Sequence, residues 1–276
     1  MTDPTPFLPE LPETWEGTPA TLHAYAHGVG AISRAHAEAH PNWWHVGLTV
    51  KPDGLASDPV PLPDGESLEL LMDLRTHEVV LSTSSGDRHA FSLEAGVAGT
   101  EFADHLIAQA AVYGLSDGYQ RDKFENDDPR SYDPAAAETF RRILVDVNGV
   151  FVDHIETLKG DVSPVQVWPH GFDLAVEWFG TRVETHEENG TVVEAPAQLN
   201  LGFYPGGRPY FFSNPWPSEG EVLLSKPLPH GAEWHTEGWQ GSILYYDQLA
   251  GDPDAEKKLR EYAAAVFAAA APTLLA

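Results

Sequence analysis

Leu68-Glu69-Leu70-Leu71-Met72-Asp73-Leu74 alternates in steps of two, with Leu68, Leu70, Met72 and Leu74 on one side and Glu69, Leu71 and Asp73 on the other. Successive side chains of a strand point to opposite faces, so this stretch reads as a strand with one face buried. The same period runs through Trp44, Val46, Leu48 and Val50 before it. After it, His77 to Ser82 and Arg88 to Leu93 follow across short polar turns, one of them Ser85-Gly86-Asp87. Strands this close in sequence form an antiparallel meander. Outward from them the period becomes helical. Leu22, Tyr25, Ala26, Val29 and Ile32 share a face after Thr18-Pro19, and Phe102, Leu106, Ala110 and Tyr113 share one after Gly99-Thr100.

The same order returns downstream. A helix from Asp133-Pro134 carries Phe140, Ile143, Leu144, Val147, Phe151, Ile155 and Leu158. Val165 to Trp168 is a short strand, and Phe172, Leu174, Val176 and Trp178 alternate with Asp173, Ala175 and Glu177. Arg182 to His186 and Thr191 to Ala195 flank Glu188-Asn189-Gly190, a hairpin turn. Leu199, Leu201 and Phe203 lead through Pro205-Gly206-Gly207 to Tyr210 to Ser213. The last helix starts at Asp252-Pro253, with Leu259, Tyr262, Ala263, Val266 and Phe267 on one face. Three of the four helices open with a capping Thr or Asp and then Pro, which has no N–H to leave unsatisfied. The expectation is an α+β protein of two similar halves, each an antiparallel β-meander sheet flanked by helices, packed about a central cleft. Its parts would be an N-terminal extension (1–17), a first half (18–114), a linker rich in Asp, Ser and Gly (115–132) and a second half (133–276).

Charge narrows the partners. The 276 residues include 42 acidic and 16 basic ones, a formal net charge of -26 at pH 7. Such a surface repels nucleic-acid phosphates and anionic lipids, so neither is an expected partner. A small molecule is, and the oligomeric state is not readable. With no cysteine, disulfides, thiolate metal sites and a cysteine nucleophile are excluded. Met1 to Pro12 lacks the basic and apolar regions of a signal peptide, and Tyr262 to Ala276 is too short to span a bilayer. The expected location is cytoplasmic.

Most familiar motifs fall away. Gly114-Leu115-Ser116-Asp117-Gly118 fits the nucleophile-elbow pattern, but it follows a helix rather than a strand, with Gly114 placed as a helix cap. There is no phosphate loop, and Gly28 and Gly30 lie inside a helix, so no nucleotide cofactor is indicated. The 13 histidines limit any metal to imidazole and carboxylate ligands, which suit Fe, Mn or Zn. His23 and His27, four apart on the first helix, read as a solvated face.

His45 interrupts an aromatic strand, and His170 sits between Pro169 and Gly171, where a bulge or strand end re-aims side chains. Asp173 can join His170 only if the backbone bends at Gly171. His45, His170 and Asp173 are the catalytic candidates. His235 and Glu237, two apart on an extended segment, could grip an ion together with His170 or His45. Trp44, Trp168, Trp216, Trp234 and Trp239 are the candidates to wall a ligand pocket. His45 and His170 each follow a long helix, so a pseudo-two-fold relation would let them face each other, with Pro229 to Gly241 laid over them.

Asn42-Trp43-Trp44-His45-Val46, Gly54-Leu55 with Pro59-Val60-Pro61, and Ser163-Pro164-Val165 with Phe172-Asp173-Leu174-Ala175 resemble a bacterial family known as a domain of unknown function. The resemblance runs over most of the chain. Many members of that pattern carry His where this chain has Gln166 and lack His170, so this chain looks like a branch marked by Trp168-Pro169-His170. The resemblance implies no activity, cofactor or fold, but it adds weight to Trp44, His45, His170 and Asp173. Two functions compete: a small-molecule enzyme, with or without a His/carboxylate-bound metal in a Trp-lined cleft, and a non-catalytic protein that binds an aromatic, sugar-like or cationic ligand.

Overall fold

The computed structural model describes residues 6–188 and 190–276. In chain order the elements are α1 (Gly17–His36), β1 (Thr49–Lys51), β2 (Gly54–Ala56), β3 (Val60–Pro61), β4 (Ser67–Asp73), β5 (Glu78–Thr83), β6 (Arg88–Ser92), α2 (Gly99–Val112) and α3 (Pro134–Glu156). Then come β7 (Gln166–Trp168), β8 (Asp173–Glu188), β9 (Thr191–Tyr204), β10 (Tyr210–Ser213), β11 (Pro215–Trp216), α4 (Gly220–Leu223), β12 (Glu233–His235), β13 (Gly241–Tyr245) and α5 (Ala255–Ala270). The fold is α+β with two antiparallel sheets. No helix among the described residues is long and apolar enough to cross a membrane.

Chain contacts divide the protein into two units. One comprises Leu11–Val145 and Gln166–Asp173, and the other comprises residues 6–10, Asp146–Val165 and Leu174–Ala276. In the first, β1, β2, β4, β5 and β6 lie side by side in chain order, with β3 also beside β4. The alternation of β4 survives: Leu68, Leu70 and Met72 are fully buried. So does the apolar stripe of α1, where Leu22, Tyr25, Ala26, Val29 and Ile32 are fully buried. Tyr25 stacks on Phe102 of α2 at 3.8 Å between ring centroids. Gly28 lets the helices close, since a Cβ there would meet Ala103 at 3.0 Å. Residues 115–132, read above as a linker, are mostly exposed, with anchors at Leu115 and Phe124, which are buried, and at Ser131, whose carbonyl accepts from Thr21 Oγ1.

In the second unit β8, β9, β10, β13 and β12 are neighbours in that order, with β11 also beside β9. Its core gathers Trp178, Leu199, Leu223, Ala270 and Leu274, with Trp234 and Phe267 packed against it. The strands expected separately at Phe172–Trp178 and Arg182–His186 are one, interrupted by a register shift between Phe179 and Val183. Gly180 lies at that irregularity, where a Cβ would strike the Leu274 carbonyl. Asn189 of the expected hairpin turn lies outside the described residues, and the ladder around it runs up to Glu188 opposite Thr191.

The alternating stretch Trp44–Val50 is mostly not a strand. Trp43 is left-handed (φ 60°), Trp44–Val46 is a 3-10 turn, and pairing begins only at Leu48, which bridges Val167. Local bonds win over the ladder here: the His40 N–H donates to His45 Nδ1 at 3.0 Å, and the His40 ring stacks on Trp44 at 4.2 Å. The cap signals also sort themselves out differently. Asp133 accepts from the Ala135 N–H as expected, but Thr18 lies inside α1 and its hydroxyl accepts from the Asp133 N–H. Pro253 precedes α5 rather than opening it.

Candidate functional site

The turn Pro169–Phe172 in the first unit bends the chain sharply. The Gly171 and Phe172 N–H groups both donate to the Trp168 carbonyl, at 3.2 and 2.7 Å. Phe172 is left-handed (φ 57°), a conformation that costs a side-chain-bearing residue roughly 1–3 kcal/mol. Packing holds it there. Phe172 is 2% exposed, with His23 stacked on it at 5.5 Å and Phe140 at 5.5 Å. Burying a Phe side chain is worth about 1.5–3 kcal/mol, enough to offset the strain. The bend anticipated at Gly171 therefore occurs at Gly171 and Phe172 together, and Asp173 turns back: its Oδ1 fills the place where a Gly171 Cβ would sit. Burial pushes the Asp173 carboxyl up, and the neighbouring His170 opposes that.

Against this turn stands a stripe of α1. His23, His27, Gly30 and Arg34 recur in steps of four, three and four, which places them on one face. Gly30 sits under Pro169, where a Cβ would meet the ring at 2.9 Å. His23 Nε2 lies 3.2 Å from the His170 carbonyl and 3.0 Å from His27 Nε2. A carbonyl can only accept, so His23 Nε2 carries the proton, and His27 Nε2 accepts from the same N–H. His27 is thereby a neutral imidazole with its proton on Nδ1. Its pKa agrees: burial, then His23 and His170, lower it to about 4. Burial lowers His23 as well.

The stripe and the turn border a cleft of about 390 Å³, open to solvent. His27 and Arg34 enter it from α1, Gln120 and Lys123 from the segment after α2, and His170 from the turn, while Val46 and Pro169 give it an apolar wall. The His170 ring is exposed and makes no hydrogen bond among the described residues; its aromatic neighbour is Trp168, edge-on at 6.1 Å. Arg34 lies 5.3 Å from the Trp43 ring.

The catalytic candidates thus part company. His170 and Asp173 share the turn. His45 is 8% exposed, its Nδ1 is taken by the His40 N–H, and burial followed by Arg34 lowers its pKa. It holds the loop before β1. Of the tryptophans, Trp44 stacks on His40 and its carbonyl accepts from Gln166 Nε2 at 3.2 Å. Trp168 flanks His170.

Trp216, Trp234 and Trp239 belong to the second unit. Trp216 is edge-on to His186, and Trp239 lies 4.5 Å from His235. Trp234 donates to the Lys226 carbonyl at 2.8 Å, and with His235 it lines a separate hollow. His235 Nε2 bonds the Glu237 carbonyl at 2.7 Å rather than sharing an ion with its carboxylate, and the extended segment reaches only His235. Among the described residues no group of three or more His, Asp or Glu is placed to hold a metal ion. The pair read as solvated, His23 and His27, is half-buried, with His27 lining the cleft and His23 behind it, which is the main feature the pattern concealed.

A family profile described as a family of unknown function (DUF5996) matches residues 8–274. No curated protein and no solved structure matches the chain.

Proposed function

The chain belongs to the DUF5996 family, and we propose that it is a small-molecule enzyme in which His170 serves as general acid and base. The observation that carries this reading is the His170 ring itself: it borders a cleft, makes no hydrogen bond among the described residues, and projects from a turn fixed by Phe172 and His23. A free imidazole on a rigid backbone can take a proton from a bound substrate and return it later in the cycle, leaving the protein unchanged. His23 and His27 act behind it. Their shared N–H fixes the His170 carbonyl, and a neutral His27 keeps an extra positive charge away from His170. Asp173, bent back over Gly171, adds a carboxyl beside His170; burial pushes its pKa up, and the neighbouring His170 opposes that.

The test is turnover. Purified full-length protein is assayed against a panel of chromogenic carboxylic and phosphoric esters beside His170→Ala. The reading expects at least one substrate whose turnover falls to background in His170→Ala while its melting temperature stays close to that of the parent. Turnover that is equal in the two proteins contradicts it. Saturable binding of panel members without turnover in either protein favours the binding-protein function instead.

A further inference from the structure

We infer that the cleft beside His170 seats the oxyanion of its ligand, a carboxylate or phosphoryl group, on Arg34 and Lys123. This rests on the reading of the cleft as the reactive site and adds the class of molecule it takes. The charge of the lining is the opposite of the charge of the chain. The protein carries a formal net charge of -26, yet the cleft is bordered by Arg34, Lys123, two histidines and Gln120, with no Asp or Glu among its lining residues. Elsewhere cations are mostly claimed: Arg75, Arg88, Arg121, Arg182, Arg208 and Arg260 each pair with a carboxylate.

Arg34 makes no ion pair among the described residues. The Trp43 ring, 5.3 Å from its guanidinium carbon, supports the plane and leaves the donor fork open for a carboxylate or phosphoryl group. Lys123 is paired to the adjacent Asp122 at 3.3 Å, with both side chains more than half exposed. That contact is weak and yields readily to a ligand anion. Gln120 offers a neutral amide. Because His27 is neutral, the positive field comes from Arg34 and Lys123, and it falls off over about 8–10 Å at ordinary salt, so it draws an anion to the neighbourhood of these two side chains. The apolar wall of Val46 and Pro169 is left for the body of the ligand. A cationic ligand has no counter-charge in this lining.

Tag-free full-length protein is titrated calorimetrically with inorganic phosphate and, separately, with succinate. Saturable binding of either anion is expected, weakened by added sodium chloride. Arg34→Gln should weaken it at least ~10-fold, as for a lost charge-assisted hydrogen bond, Arg34→Lys by less, and Arg208→Gln, whose guanidinium is paired with Asp247, not at all. Phosphate alone, or succinate alone, still supports the inference and identifies the group. Two results overturn it: neither anion saturates, or Arg34→Gln binds as tightly as the parent. If Arg34→Gln fails to fold, Lys123→Gln and Arg34→Lys carry the same comparison. The two readings fail separately. Anion binding with turnover unaffected in His170→Ala sinks the acid–base reading alone, whereas His170-dependent turnover with no anion bound sinks this one alone.

Discussion

His23 Nε2 donates to the carbonyl of His170, 147 residues further along the chain, at 3.2 Å. The same ring stacks on Phe172, so one side chain of α1 holds both ends of the turn that presents His170. Replacing His23 by Phe keeps the stack and removes the donor, which should cost about 1 kcal/mol. His23→Ala loses both and should cost about 2 kcal/mol. Urea unfolding measures these losses, and turnover should fall in both variants because the turn is no longer fixed.

Acid should weaken the fold through the same stripe. The His27 pKa lies at about 4 in the folded protein, against 6.5 for a free imidazole. Between these values the unfolded chain binds a proton that the folded chain refuses, so stability rises with pH across the window. It is complete above about pH 6.5 and is lost as pH falls towards 4, with His23 acting in the same direction. Asp173 works the other way: its raised pKa means the folded state holds a proton that the unfolded state has released, which favours the fold on the acid side. Urea midpoints at pH 7 and 4.5 should differ in the parent, and the difference should shrink in His27→Asn, which cannot be protonated.

Gly30→Ala separates helix propensity from packing. In an exposed helix interior the change should stabilise by roughly 1 kcal/mol. Here the new methyl would lie 2.9 Å from Pro169, so the turn must shift away from α1. The expected outcome is a lower melting temperature together with reduced turnover and anion binding. A gain in stability would mean that Pro169 moves freely, and the turn would not be the rigid mount it is taken to be.

His235→Ala should leave turnover and anion binding unchanged, because its ring is occupied with the Glu237 carbonyl and Trp239. The loss of one partly exposed hydrogen bond should cost no more than about 1 kcal/mol. Assaying this variant beside His170→Ala tells a metal site that includes His235 from an imidazole site that does not.

Much of the fold was legible because its determinants are periodic. The stripe of Leu22 to Ile32 and the alternation of Leu68 to Leu74 are spaced by backbone geometry alone, and burial follows. Trp44–Val50 shows the limit: its alternation suits a strand, but His40 is close enough in sequence to engage both His45 and Trp44. Pro169 and Gly171 advertised the bend at His170, yet no local signal says that Phe172 fills the gap between His23 and Phe140. The histidine pair was hidden for the same reason. Two histidines four apart look identical in solvent and against Pro169. The readable hint was Gly30 in line with His23, His27 and Arg34, a glycine in mid-helix where some close approach must offset its low propensity.

The most direct measurement is a nuclear magnetic resonance spectrum of the protein with ring-15N histidine, recorded without anion and with inorganic phosphate or succinate. His170→Ala and His27→Asn assign the resonances. The expected spectrum at neutral pH shows His27 as the neutral form protonated on Nδ1, and at least one of the two anions moves the His170 ring signals while leaving the His27 tautomer in place. A His170 ring indifferent to both phosphate and succinate, or His27 protonated on Nε2, would contradict the arrangement on which the proposed chemistry stands.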